Sequence, residues 1–269
     1  MNLRPGAGAA YVGGVLAAIF VSTGQASDSS VADGIIRQLW ELAVPEKTRM
    51  LFEEKIDYPV LSVVLALWAI VVGVGWYRSN KRREALRNKA ATLGFSFDEE
   101  ATALPRDIMD SLPIFSKGHL SNACNLLWQP GLFVFDYAYV TGRGKNRQEH
   151  KQTIVALLDD IALPEFRLCP EHLGHKLMEL FGYQDIDFPE TPEFSKKILL
   201  RGPDETAMRA LFSMEVRMLL QGLPGWTVEG NGRWLAIYKY GGNPKPENLQ
   251  AYIGEACSVA AVFGFKGKA

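Results

Sequence analysis

Cys169, His172, His175 and Glu179 follow one another with the spacing C-x2-H-x2-H-x3-E. On a helix, positions three and four apart share a face, so His172, His175 and Glu179 would set two imidazoles and a carboxylate side by side, donors that suit zinc. Zinc sequences ordinarily pair two short clusters, and here His119 and His150 stand alone. A solvated helix face therefore outweighs a metal site. Asp185 and Asp187 alternate on one side of a short apolar stretch and are followed by Glu190 and Glu193. Such carboxylates could ligate a divalent cation through oxygen or act as an acid/base pair, but the rest of an EF-hand loop is missing. A strand edge kept soluble by charge is the plainer reading. Asp136 lies inside an apolar run. A carboxylate buried there needs a cation, hydrogen bonds or a proton, and pairing with Arg or Lys is the commoner solution than catalysis.

The loop Gly142, Arg143, Gly144, Lys145, Asn146, Arg147 is the most distinctive surface feature. Its glycines permit a tight turn while three cations project from the tip, a pattern that can touch phosphate or anionic lipid headgroups. It lacks the GxxxxGK[ST] spacing of a nucleotide-binding loop, and a solvated hairpin turn is the simpler alternative. No GxSxG elbow occurs, and none of Cys124, Cys169 and Cys257 sits in a recognised nucleophile motif. The sequence calls for no cofactor.

These residues follow an apolar stretch. Residues 58–77, YPVLSVVLALWAIVVGVGWY, hold twenty positions without a charge. At about 1.5 Å per residue they span a hydrocarbon core roughly 30 Å thick. Tyr58, Trp76 and Tyr77 place amphipathic rings at headgroup depth, and Arg78, Lys81, Arg82, Arg83, Arg87 and Lys89 crowd one flank. Positive charge marks the cytoplasmic side, so the expectation is a transmembrane helix with everything beyond it in the cytoplasm. Arg82 and Arg83 also become candidates for lipid contact, although fixing topology explains them already.

Residues 1–26 fit two descriptions. Arg4, an apolar core and small residues at Gly24 and Ala26 suit a cleaved signal peptide; the absence of charge between Arg4 and Asp28 suits a first transmembrane helix. The short external segment 27–57 carries seven acids against four bases. Within it Ile36, Leu39, Trp40 and Ala43 make an apolar helical stripe that could lie on the membrane or dock a protein partner.

Residues 78–93 continue as a basic juxtamembrane helix ended by Gly94, and 94–269 read as one α+β domain of hairpins alternating with helices. Leu132 to Val140 is expected to be a central strand, because Phe133, Phe135, Tyr137 and Tyr139 share one face while Leu132, Val134, Ala138 and Val140 share the other with Asp136. Gln152 to Leu158 should return as its hairpin partner. Further expectations are strands over 95–97, 122–129, 166–168 and 197–200, helices over 104–112, 170–180, 204–220 and 248–262, and a second hairpin, 226–229 with 234–240, turning at Gly230-Asn231-Gly232. Recurrent strand, Pro-acid, helix units hint at two similar halves dividing near residue 183.

The runs FDYAYVTGRGKNRQEHKQT (135–153), FGYQDIDF (181–188) and PEFSKKILLRGPDE (192–205) resemble uncharacterised bacterial membrane-anchored proteins with a cytoplasmic domain of unknown function. The resemblance spans about residues 93–240 and implies a bacterial inner-membrane setting, with no activity, ligand or functional residue attached. With 29 basic and 30 acidic residues the chain has a formal charge of −1, which disfavours a general nucleic-acid binder. The sequence is thus expected to encode a membrane-anchored binding or scaffold module. Its partners would be the lipid bilayer and a protein held through 28–57 or the cytoplasmic domain. The alternative is a membrane-tethered enzyme with a site around Asp136 or His172/His175.

Overall fold

The computed structural model describes residues 58–173 and 185–265, and the chain divides into two compact units between Lys81 and Arg82. The leader 1–26, the segment 27–57 and most of the expected helix 170–180, with His175 and Glu179, lie outside the described residues. Described by itself, the first unit is helical. Its helix, α1 (Tyr58–Leu93), runs on into the second unit. Pro59 sits in the first turn, where its missing N–H breaks no helical bond. Apolar side chains cover all sides of residues 62–77, and Val71 (70%) and Trp76 (68%) are largely exposed. One helix among the described residues is therefore long and apolar enough to cross a membrane.

From Arg82 onward α1 belongs to the second unit, where Leu86 and Ala90, four residues apart, enter the core. The helix stops as the sequence predicts. Gly94 turns left-handed at φ +75°, its N–H donates to Ala91 O and that of Phe95 donates to Ala90 O at 2.9 Å, which satisfies the last carbonyls.

The second unit is built on one six-stranded antiparallel sheet: β1 (Ser96–Asp98), β2 (His119–Gln129), β3 (Leu132–Thr141), β4 (Gln148–Pro170), β5 (Ile198–Arg201) and β6 (Thr227–Tyr238). Its axis is β4, 23 residues long. One edge of β4 pairs with β3 and then β5, and the other pairs with β6. Both faces are covered. Leu127, Val134, Leu157 and Ile237 pack with the end of α1 and with α6 (Leu249–Val262), while Phe133, Phe135, Tyr137 and Tyr139 pack with α2 (Arg106–Ser111) and the turn at Pro113–Ser116. The two apolar faces read from 132–140 are the two cores, and β3 is the internal strand expected.

Four expectations are corrected. Residues 226–240 are not a hairpin but the continuous strand β6. Gly230 is there for close approach rather than turning, since a Cβ on it would lie 2.4 Å from the Phe166 ring. The strands expected over 152–158 and 166–168 are one: β4 passes through Pro164, at register shifts between Leu158 and Phe166 where a missing ladder N–H is tolerated. The helix expected over 204–220 is two, α4 (Glu205–Leu211) and α5 (Met214–Gln221). Ser213 starts the second by accepting from Val216 N–H, an N-cap signal that apolar periodicity concealed. Asp185 and Asp187 form no strand: Asp185 makes a single bridge with Arg201, ahead of α3 (Pro192–Lys197).

Candidate functional site

Asp136 lies on the face of β3 that meets α1. Arg82 Nε donates to its Oδ2 at 2.8 Å and Nη2 to its Oδ1 at 2.9 Å. Thr153 Oγ1, opposite on β4, donates to Oδ1 at 2.7 Å, and Asn125 Nδ2 donates to Oδ2 at 3.0 Å. Each carboxylate oxygen thus holds two donors, the capacity of an ionised carboxylate. Arg82 Nη1 donates further to Pro244 O at 2.8 Å, so one guanidinium ties the entering helix to β3 and to the loop after β6. This planar two-pronged pairing favours Arg over Lys. Asp136 has no acceptor site left for a substrate proton, and Arg82 is engaged inside the domain. Arg83 meets Glu99 at 2.6 Å, on the surface.

The hairpin between β3 and β4 carries Arg143, Lys145 and Arg147, all exposed, and their side chains form no ion pair among the described residues. Gly142 makes the turn: φ is +69°, and a Cβ would lie 2.2 Å from Asn146 O. His150, at the base, is held between Thr141 Oγ1 (2.7 Å) and Tyr240 OH (2.8 Å) and stacks on Tyr139. Burial, with Lys117 nearby, holds its pKa below the ordinary value.

A second charged cluster sits inside the opposite face. Glu229 on β6 is directly across from Arg167 on β4, and both are buried. Tyr238 OH donates to Glu229 Oε1 at 2.8 Å and accepts from Arg167 Nη2 at 3.1 Å. Ile114 N–H donates to Glu229 Oε2 at 2.7 Å, so the acid also secures the turn at Pro113–Ser116. Lys117 follows that turn at 1% exposure, and its Nζ has no hydrogen-bond partner among the described residues. Burial, aided by Arg167 and opposed by Glu229, pulls the Lys117 pKa down to about 7. Burial also raises the Tyr238 hydroxyl well above its ordinary value. None of these residues stands out in a motif. The available signal is opposite charge at core-facing positions of two apolar strands, Arg167 between Phe166 and Leu168 and Glu229 after Val228.

A cavity of about 470 Å³ opens beside the ends of β4 and β5, walled by Leu168, Ile198, Leu220, Trp226 and Val259, with His172, Lys196 and Lys197 also lining it. His172 is exposed. Cys169 is buried, and burial raises its thiol pKa, which leaves it a poor nucleophile. Among the described residues no group of three or more His, Cys, Asp or Glu could hold a metal ion.

The chain matches no protein-family model and no curated protein. Among solved structures, the crystal structure of the mycobacterial trehalose monomycolate transport factor A, TtfA, is similar to it at 13% identity and a TM-score of 0.44, over 68% of this chain and 90% of that one. At that score the likeness carries no argument about function.

Proposed function

We propose that the chain is a membrane-anchored binding or scaffold module of the bacterial inner membrane, with residues 58–77 in the bilayer and 94–269 in the cytoplasm. One observation carries it: an uncharged run of twenty residues forms helix, leaves most of its apolar side chains from 62 to 77 uncovered, and is flanked by a cluster of cations on one side. Lipid is the first partner on this reading. A protein held through 28–57 or through the domain is the second.

A membrane-tethered enzyme is the alternative, and the cavity beside His172 is the observation that favours it. Asp136 does not favour it, because its four donors fix it as a structural lock. Native mass spectrometry of the detergent-solubilised full chain separates the two. The binding reading expects retained phospholipid or a protein subunit. Stoichiometric metal or a small polar metabolite, lost on His172→Ala, would replace it with the enzyme.

A further inference from the structure

Arg82, where α1 enters the domain, touches β3 at Asp136, whereas the far end of α1 leads through Gly94 into β1, whose Ser96 pairs with Trp128, itself paired with Phe133 at the start of β3. Travelling back along the helix toward Arg82 is therefore travelling along β3 toward its hairpin tip. The chain fixes where this end of the domain can go: Arg82 is five residues from Tyr77, the end of the apolar run, a reach of about 17 Å even fully extended.

The same end gathers unpaired cations. Arg143, Lys145 and Arg147 crown the hairpin, and Lys245 lies on the loop whose Pro244 carbonyl accepts from Arg82; all four are exposed, and their side chains make no ion pair among the described residues. Elsewhere on the surface Arg209, Arg233 and Lys239 each hold an acid, while Arg106 and Lys197 make no ion pair among the described residues but stand singly rather than in a group.

Beside the hairpin stands Leu120. Its neighbour His119 pairs with Val140, one residue short of the tip, and the register then shifts before Asn122. At this bulge Leu120 takes φ +53°, a region L side chains rarely occupy, and shows 69% of its surface to solvent. A large apolar side chain held outward by an unfavourable backbone is a feature that core packing does not explain. An exposed leucine beside a hairpin that carries three unpaired cations fits the interface of an anionic leaflet, where the apolar group enters the acyl boundary and the cations meet phosphates.

We propose that Leu120 with Arg143, Lys145, Arg147 and Lys245 forms a second, peripheral membrane contact that binds anionic phospholipid headgroups. This rests on the anchor reading above. Together the two contacts hold the domain against the bilayer.

The test is hydrogen exchange of the full chain in nanodiscs of phosphatidylcholine, with and without phosphatidylglycerol. Amides of 119–121 and 142–148 should exchange more slowly in the anionic discs, and each cation removed in the series Arg143→Gln, Lys145→Gln, Arg147→Gln should reduce that protection about fivefold. Leu120→Ser should reduce it too, with exchange in β4 and β6 unchanged to certify folding. Equal exchange in both discs overturns the proposal while leaving the anchor intact. Protection produced in neutral discs by inorganic phosphate also overturns it, by assigning the cations to a free anion. A chain that enters neither disc overturns the anchor and this contact together.

Discussion

Asp136 on β3 and Glu229 on β6 are carboxylates on the two strands that flank β4 in one sheet, and each meets an arginine, yet the two pairs are built differently. Asp136 takes four donors on the face toward α1, and its Arg82 keeps some contact with water at 21% side-chain exposure. Glu229 and Arg167 are almost wholly enclosed at 0% and 4%, and Lys117 adds a cation beside them with no partner for its Nζ among the described residues. Charge in the first cluster is matched donor for acceptor. Among the described residues the second holds two cations, Arg167 and Lys117, to the one acid Glu229. A matched, partly exposed pair fastens one element to another, whereas a mismatched cluster in a core costs stability that the apolar packing around it must offset.

The most severe way to break this comparison is Glu229→Ala, which strips Arg167, Lys117 and the Ile114 N–H of their shared acid. It should cost about 3–5 kcal/mol in denaturant unfolding. Asp136→Ala should cost less, about 2–3 kcal/mol, because Arg82 can turn to water. In a double-mutant cycle with Arg82→Ala it should show coupling of about 1–3 kcal/mol. Lys117→Met should act with the opposite sign, stabilising the domain by about 1–3 kcal/mol near pH 7, since it replaces an unpaired buried ammonium with an apolar side chain of similar length.

The finest distinction is in pH. Lys117 titrates near 7 in the folded chain against 10.5 unfolded, so between those values the unfolded chain binds the additional proton. Its contribution must therefore raise stability as pH climbs from about 7 toward 10.5, and stay flat below 7. Unfolding measured at pH 6, 7.5 and 9 should show that rise in the native sequence and lose it in Lys117→Met. Parallel profiles would mean that Lys117 stays protonated and finds a partner.

Much of this was legible in the sequence. Residues 58–77 announce their helix by length and lack of charge, Gly94 its end, and the double alternation of 132–140 both faces of β3. Asp136 could be flagged as a buried acid needing a cation. That the cation would be Arg82, 54 positions away on a helix taken to serve topology, could not be read, because pairing across elements leaves no local pattern. Gly230 misled for a related reason. A glycine that admits a neighbouring ring and one that turns a chain look alike until the Phe166 contact is known. Lys117 escaped notice because an isolated lysine after a Pro-containing turn reads as surface.

The account stands on the helix of residues 58–77 being in a bilayer, and extraction of the full chain from bacterial membranes tests that most directly. It predicts a protein that stays with the membrane through high salt and alkaline carbonate, leaves only with detergent, and becomes extractable when Leu67 and Val71 are both replaced by Asp. Release of the native chain by salt or carbonate would contradict it.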